Sequence, residues 1–156
     1  MTTTDTGRET RAVSDFDRLS LRGVGEVFVT QGAAPSLEIE AAPDIRARIT
    51  TEVRDGTLTS GYRHEVMEWL DRILKGVGPV RYHITMAQIH GLANAGAGTI
   101  EVQRVETDHL ELALSGAGTV KAFGIITPEL AVKLSGAGAI EAAGQARQEN
   151  VQDRKS

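Results

Sequence analysis

The sequence has no cysteine among its 156 residues and only six aromatic residues: three Phe, two Tyr and one Trp. Without cysteine, disulfide bonds and thiolate metal sites are excluded, and the redox compartment cannot be inferred from cysteine usage. So few aromatic rings offer little surface on which sugars or the bases of single-stranded nucleic acid stack. The chain is therefore not expected to be a stacking-based binder of either ligand.

The chain also lacks a long apolar run and a strong excess of positive charge. No segment is apolar over the length that a membrane-spanning helix needs. The formal net charge is −4, which gives no general attraction to nucleic acid or to an anionic membrane. We therefore expect no nucleic-acid partner and no membrane insertion.

The beginning of the sequence, MTTTDTGRETRAV, carries no basic segment followed by an apolar one. A signal peptide is therefore not expected in the chain as written. This leaves two interpretations, a cytoplasmic protein or the mature form of an exported protein.

Short segments of alternating polarity fill the first half of the chain. In SLEIEA, for example, aliphatic residues alternate with glutamates, which is typical of a β-strand with one solvated face. Asp55 and Gly56 separate two such segments and predict a tight hairpin, because glycine readily adopts positive φ. We expect antiparallel strands over residues 13–86, after a polar and disordered segment at 1–12.

One segment, HEVMEWLDRILKG at 64–76, has a different period. Its apolar side chains recur at helical spacing, and Gly76 follows as a stop signal. The pattern predicts an amphipathic helix over residues 64–75. Its apolar side is expected to pack on the core, with a partner-binding helix as the alternative.

A glycine-rich phrase occurs three times, as NAGAGTIEV, SGAGTVKAFG and SGAGAIEAAG. Its glycines and the flanking apolar positions recur with a period of 20, which is typical of a β-solenoid in which each repeat is one coil. Equivalent residues of successive repeats should then stack, and a sharp corner leaves no room for a Cβ. The predicted structural corners are Gly96, Gly98, Ser115, Gly116, Gly118, Ser135, Gly136 and Gly138.

The predicted fold is all-β, mainly a β-solenoid preceded by antiparallel strands and one short amphipathic helix. We expect one domain over residues 13–144, with the repeats at 87–144 and a polar tail at 145–156. An outward column of Glu101, Lys121 and Glu141 should place opposite charges on neighbouring coils.

None of the motifs predicts catalysis or cofactor binding. The glycine phrases match neither the phosphate-binding loop nor the dinucleotide fingerprint, since strand-like residues follow them. Ser115 and Ser135 stand in SGAG rather than GxSxG, so their hydroxyls are expected to bond to the turn backbone. We expect no catalytic residue and no cofactor.

Metal binding is not expected from the histidines. His64 and Glu65 resemble the first half of HExxH, but Glu68 stands where the second histidine would be. His83, His90 and His109 are scattered along the chain. The sequence therefore predicts no metal site.

The order of several blocks resembles a known family over residues 11–144. The blocks are RAVSDFDRLSLRGVGEVFVTQG, SLEIEA, ITTEVRDGTLTS, the single Trp69, RYHITM and the repeated L-x-L-x-L-SGAG. They are similar to the bacterial family described as putative auto-transporter adhesin, head GIN domain. The resemblance implies a β-solenoid exported to the cell envelope, with a proposed adhesive role and no established enzymatic activity. The chain differs in its start, its helical insert and its stop soon after the third SGAG copy.

Two classes of function follow. The first is a non-enzymatic domain of the cell envelope or surface in adhesion or assembly, with a protein or cell-surface partner. The alternative is an intracellular scaffold or filament that associates through its open solenoid end, and an enzyme with a cleft along the solenoid is a third. Because the layer of Leu130, Val132, Leu134 and Ile140 lacks a following coil, we expect a closed, small homo-oligomer.

Overall fold

The structure is a computed structural model and describes residues 7–23, 25–47, 49–62 and 80–153. The first strands are β1 (Arg8–Arg11), β2 (Arg18–Leu21), β3 (Glu26–Gln31) and β4 (Ser36–Glu40), followed by the one-turn helix α1 (Pro43–Arg46). The next are β5 (Ile49–Arg54), β6 (Thr57–Tyr62), β7 (Arg81–Met86), β8 (Gly91–Asn94) and β9 (Thr99–Val102). The last are β10 (Val105–Glu106), β11 (Leu110–Leu114), β12 (Thr119–Leu134) and β13 (Ala139–Asp153). The amphipathic helix predicted at 64–75 lies outside the described residues.

Over the described residues these strands form one curled sheet, in the order β1-β4-β7-β3-β9-β12-β11-β8-β2-β6-β5. The short β10 and the long β13 both pair with β12. The prediction of an all-β class is confirmed. β12 lies in the middle of this strand order, and its two halves pair with different strands.

Equivalent residues of successive repeats are neighbours in this sheet. β11 pairs in parallel with the second half of β12, placing Leu110 opposite Leu130. The first half of β12 pairs in parallel with β9 on one side and β13 on the other, so that Ile100, Val120 and Ile140 form a row. The same register places Lys121 between Glu101 and Glu141. The sequence period therefore appears directly as strand register.

β12 pairs with β9 through its first half and with β11 through its second half, because the strand bends at Gly124. This residue has φ 63°, in the left-handed region that favours glycine. The pairing with β13 shifts register between Ala122 and Ile125, on either side of the bend. The bend directs the two halves of one continuous strand to different parts of the sheet.

The prediction of antiparallel strands over 13–86 is wrong for β2 and β3. β2 pairs in parallel with β6 and β8, and β3 pairs in parallel with β7 and β9. Antiparallel pairing is found in β1–β4, β4–β7 and β5–β6. Alternating polarity reports which face of a strand is buried, and it carries no information about the direction of the neighbouring strand.

The hairpin predicted at Asp55 and Gly56 is confirmed. β5 and β6 are antiparallel with Arg54 opposite Thr57, so Asp55 and Gly56 alone form the loop. Both loop residues have positive φ, 52° at Asp55 and 77° at Gly56. That conformation matches the twist of the flanking strands.

Strands also extend into both segments that were predicted to be polar and irregular. β1 occupies residues 8–11 of the predicted disordered segment and pairs with β4. Arg11 anchors it by donating hydrogen bonds to the carbonyl oxygens of Ile49 and Arg46, both at 2.8 Å. β13 continues to Asp153, through most of the predicted tail. A polar segment can form an outer strand because an existing neighbour satisfies its backbone groups.

The core is formed by alternate residues of the strands. In β7 and just before it, Val80, Tyr82, Ile84 and Met86 are all buried, as their alternation predicts. The same pattern recurs in β2, β8, β9 and β11, whose leucine, isoleucine and valine side chains belong to one cluster. Burying this apolar surface is the main source of stability.

The glycine phrases of successive repeats make direct backbone contact. Ala117 N–H donates to the carbonyl oxygen of Gly96 at 3.1 Å. A Cβ added to Gly116 would collide with that same oxygen. Gly116 is not among the residues with positive φ, so the lack of space excludes a side chain here, and the backbone conformation does not.

We expect Gly116→Ala to lower the free energy of unfolding by about 1–4 kcal/mol, because the methyl group forces apart backbones that hydrogen-bond to each other. The matched control is Ser115→Ala at the neighbouring exposed position, with an expected change within about 0.5 kcal/mol. Chemical denaturation followed by circular dichroism measures both. Equal stabilities of the two variants would contradict the close-contact explanation.

Candidate functional site

The structure brings the predicted corner glycines together in one stack at the ends of the repeat strands. Its rows are Gly96 with Gly98, Gly116 with Gly118, and Gly136 with Gly138. In each row, an added Cβ would collide with the backbone of the preceding row.

A further row, Gly23 and Gly25, extends this stack, and the sequence period does not reveal it. The amide of Ala97 donates to the carbonyl oxygen of Gly23 at 3.1 Å, the same bond that links the later rows. Several strands separate Gly23 from Gly96 along the chain, so the regular period is interrupted between these two rows. The local signal is the phrase GVGE, which resembles the GAGT of the first repeat.

Asn94 explains why the first copy of the phrase differs from SGAG. Its side chain is 1% exposed and spans the phrase: Oδ1 accepts from Gly96 N–H at 3.0 Å, and Nδ2 donates to Gly98 O at 2.8 Å. Nδ2 also lies 3.2 Å from the carbonyl oxygen of Thr119 in the next repeat. The neighbours of Asn94 in the sheet are Leu21 and Leu114, so a buried amide stands in an aliphatic column.

Ser115 and Ser135 are exposed at the surface of the stack. Their hydroxyls form no hydrogen bond with any residue that the structure describes, so the expected bonds to the turn backbone are not found. A nucleophilic serine would need a base within hydrogen-bonding reach. The two serines therefore do not form a catalytic arrangement with the described residues.

The aliphatic columns of the core lose their cover at the last repeat. Val29, Val102 and Ala122 stand in one column and are 4%, 1% and 0% exposed. The next residue in that column, Ala142 of β13, is exposed. The inward side of β13 is therefore uncovered at this position.

Neighbouring columns show the same change. Leu112, Leu114 and Val120 are at most 1% exposed, whereas their partners in the next repeat are only partly buried. Those partners are Val132, Leu134 and Ile140. β13 pairs with β12 beside Val132 and Leu134, at Val151 and Asp153, but leaves both side chains only partly buried. We call the surface formed by Val132, Leu134, Ile140 and Ala142 the open end.

The backbone of β13 is open on the same side. Within the described ranges β13 pairs with β12 alone, so one edge of a long strand has no strand neighbour there. The edges at the far side of the sheet, β1 and β5, carry charged side chains that are paired within the molecule, such as Arg8 with Glu38 and Arg54 with Glu52. Short, charged edges disfavour pairing with another chain, whereas a long, regular edge favours it.

The structure brings together some of the histidines that are scattered in the sequence. The rings of His90 and His109 stack with centroids 4.3 Å apart. The carboxylate of Asp108 contacts a nitrogen of each ring, with Oδ1 3.1 Å from His90 Nε2 and 3.3 Å from His109 Nδ1. Partial desolvation raises the pKa of Asp108, but the charges of His109 and His90 outweigh it and leave the pKa below its usual value.

His83 has a separate acidic partner. Its Nε2 lies 3.3 Å from Glu40 Oε2 across the β4–β7 pair. This hydrogen bond is the main reason why the pKa of Glu40 is lowered; desolvation opposes it, and the positive charges of Arg8 and Arg81 reinforce it. The pair crosses two strands and ties them together.

Within the described part of the chain, no helix has both the length and the apolar character needed to cross a membrane.

The fold and the open end define an all-β domain built on one curled, largely parallel sheet. Residues 15–155 match the family described as "Putative auto-transporter adhesin, head GIN domain", and the chain belongs to this family. The resemblance inferred from the sequence blocks is thereby confirmed. No protein of curated function matches the chain.

Two solved structures share the fold. A putative lipid binding protein from Parabacteroides distasonis aligns with a TM-score of 0.70 and 19% identity over 94% of this chain. The chain spans 62% of that protein's length. A putative adhesin from Bacteroides fragilis aligns with a TM-score of 0.62 and 16% identity, covering 95% of this chain and 93% of that one. The names of the family and of these structures refer to adhesion or lipid binding and to no enzyme.

We expect Asn94→Ala to reduce stability by about 1–3 kcal/mol, because the partly buried N–H of Gly96 loses its acceptor and the carbonyl oxygen of Gly98 keeps only its bond from Thr119 N–H. The informative comparison is Asn94→Leu, which introduces the residue found on both sides of Asn94 in the column. If the hydrogen bonds of Asn94 contribute more to stability than an apolar side chain would at this position, Asn94→Leu is also less stable than the wild type. Thermal and denaturant unfolding would measure the three proteins, and a fully stable leucine variant would contradict this role of Asn94.

Proposed function

We propose that this chain is a non-enzymatic β-solenoid domain of the cell envelope or surface, which acts in adhesion or assembly and associates with a second copy through its open end. Membership of the adhesin family supports the first part of the proposal. The fold it shares with a protein named as an adhesin is consistent with that role. The incomplete burial of the open end supports the second part, association with a second copy.

The solenoid interpretation is supported by the register of the repeats. Three successive segments pair in parallel, each one period after the last, and the glycines of each phrase lie on those of the one before. We propose that each repeat is one coil and that the glycines, including Gly23 and Gly25, are its structural corners. A stack of coils is a rigid element, suited to displaying a surface away from the rest of a cell-envelope protein.

A second copy of the chain fits the open end better than an unrelated partner does. Val132, Leu134, Ile140 and Ala142 continue columns that are covered in every other described repeat, so the surface has the shape and chemistry of a coil-to-coil contact. Two open ends facing each other bury both layers and pair β13 with β13 across a twofold axis. Such an isologous contact is closed and therefore limits the assembly to a dimer.

Head-to-tail growth is the alternative, and it would suit an intracellular scaffold or filament. It would require β13 to pair with β1 or β5, whose charged side chains are already engaged within the molecule. Opening those ion pairs opposes the contact. We therefore favour the closed dimer.

We expect the mass measured by size exclusion with light scattering to rise from monomer to dimer as the protein concentration is increased. Ala142→Lys should abolish this rise, because it places a charge in the centre of the contact at a position that is exposed in the single chain. Ile126→Lys is the matched control: Ile126 is 48% exposed and follows the buried Ile125, so it lies on the outer face of β12. It should dimerise like the wild type.

Three outcomes would separate the possibilities. A monomer at every concentration would refute association through the open end. Mass that grows without limit, and is abolished by Ala142→Lys, would favour the filament over the dimer. Loss of the dimer in Ile126→Lys but not in Ala142→Lys would place the contact elsewhere.

The cellular part of the proposal has its own test. Fractionation of the native organism, with detection by an antibody against the folded domain, should recover the protein in the envelope or surface fraction. Recovery in the cytoplasmic fraction would instead support the scaffold. This result is independent of whether the domain dimerises.

A further inference from the structure

The backbone aligns the beginnings of three strands so that four polar side chains meet. Asp17 precedes β2, His90 precedes β8, and Asp108 and His109 precede β11. His90 N–H donates to Asp17 O at 2.8 Å, and Glu111 N–H donates to His90 O at 2.9 Å. The strands therefore hold these positions side by side independently of the side chains.

We propose that His90, Asp108 and His109 form a binding site for a divalent transition-metal ion of the zinc class. One ligand atom from each of the three residues lies within 4.8 Å of the other two. The stacked imidazole rings, only 10° from parallel, present His90 Nε2 and His109 Nδ1 to the same carboxylate oxygen of Asp108. A small shift of these side chains suffices to place an ion between the three donors.

Asp17 contacts the ring nitrogen of His90 that faces away from Asp108. His90 Nδ1 lies 3.0 Å from Asp17 Oδ2. In the tautomer that donates Nδ1–H to this carboxylate, Nε2 is the nitrogen that can bind an ion. A carboxylate behind a metal-binding histidine is the usual means of fixing the ring and its tautomer. Because the side chain of His90 is only 18% exposed, its ring is already held in place.

The donor set determines which ions fit. Two imidazoles and one carboxylate suit Zn²⁺, and with it Co²⁺, Ni²⁺ or Cu²⁺, whereas Ca²⁺ and Mg²⁺ prefer ligand sets made of oxygen. Three protein ligands leave at least one coordination position open in a tetrahedral site. His109 and Asp108 are 46% and 76% exposed, so water or a ligand from solution can reach that position.

A groove of about 510 Å³ adjoins this cluster and shares Asp17 and His90 with it. Phe16, Pro35 and Gln88 line other parts of the groove. An ion held at its rim would place a Lewis acid beside the groove, with its charge offset by the carboxylates of Asp108 and Asp17. The sequence predicts no metal site because His90, His109 and Asp17 are widely separated in the chain and match no ligand spacing; only the parallel register brings them together.

The test uses the full chain without a histidine tag, stripped of metal with EDTA and dialysed. Titration with Co²⁺ should give visible absorption of a four-coordinate ion that saturates at one ion per chain, and Zn²⁺ should displace it. Asp108→Ala and His109→Ala should each abolish the signal or weaken binding by at least about tenfold. Asp17→Ala keeps all three ligands and should weaken binding by about 10–100-fold while preserving the spectrum.

Two histidine variants outside the cluster serve as controls. His83→Ala removes a histidine that also pairs with a carboxylate, and His64→Ala removes the one in the HExx segment; neither should alter Co²⁺ binding. Circular dichroism confirms that each variant is folded, which is expected for Asp108→Ala because that side chain is largely exposed. Absence of saturable Co²⁺ and Zn²⁺ binding by the folded wild type would overturn the proposal, as would unchanged affinity in both ligand variants.

Discussion

The fold depends on one close contact, that between the backbones of glycine phrases in neighbouring repeats. At each of these places a carbonyl oxygen occupies the position that a side chain would need. The contact brings the strands on either side into parallel register and lets their aliphatic residues meet in columns. Burial in those columns stabilises the domain, but the columns exist only because the glycine phrases approach so closely. A single methyl group at one of these glycines therefore affects two repeats at once.

The features that could be predicted from the sequence are those that recur at a fixed spacing. The period of 20 gives the register of β8, β9, β11, β12 and the beginning of β13, up to Ala142, and alternation identifies which side chains are buried. Beyond the register shift at the bend of β12, the rest of β13 does not follow this period. The row formed by Gly23 and Gly25 could not be predicted from the period, because β3 to β8 lie between it and the next row in the sequence. The directions of β2 and β3 could not be predicted either, since burial patterns are the same in parallel and antiparallel pairs.

The histidine cluster shows a different limit of sequence reasoning. Its members have no common spacing and resemble no metal-binding motif. They meet because Asp17, His90 and Asp108 each stand just before a strand, and those strands are neighbours. The cluster and the glycine stack therefore occupy opposite ends of the same short strands, about 13 Å apart for a strand of four residues. Both are held by paired strands of the same sheet.

Asn94 has a consequence for how the chain finds its register. Repeats with nearly the same sequence allow more than one register during folding. A strand that slips by one whole repeat still places aliphatic residues next to aliphatic residues, so the two registers are similar in free energy. The same degeneracy allows a repeat of one molecule to take the place of its equivalent in another. An amide in a column of leucines removes the equivalence, since two of its polar contacts are made to its own phrase and the third to Thr119 of the following repeat. A residue that interrupts the repeat thus distinguishes the first SGAG-like phrase from the later ones and gives the repeats a defined register.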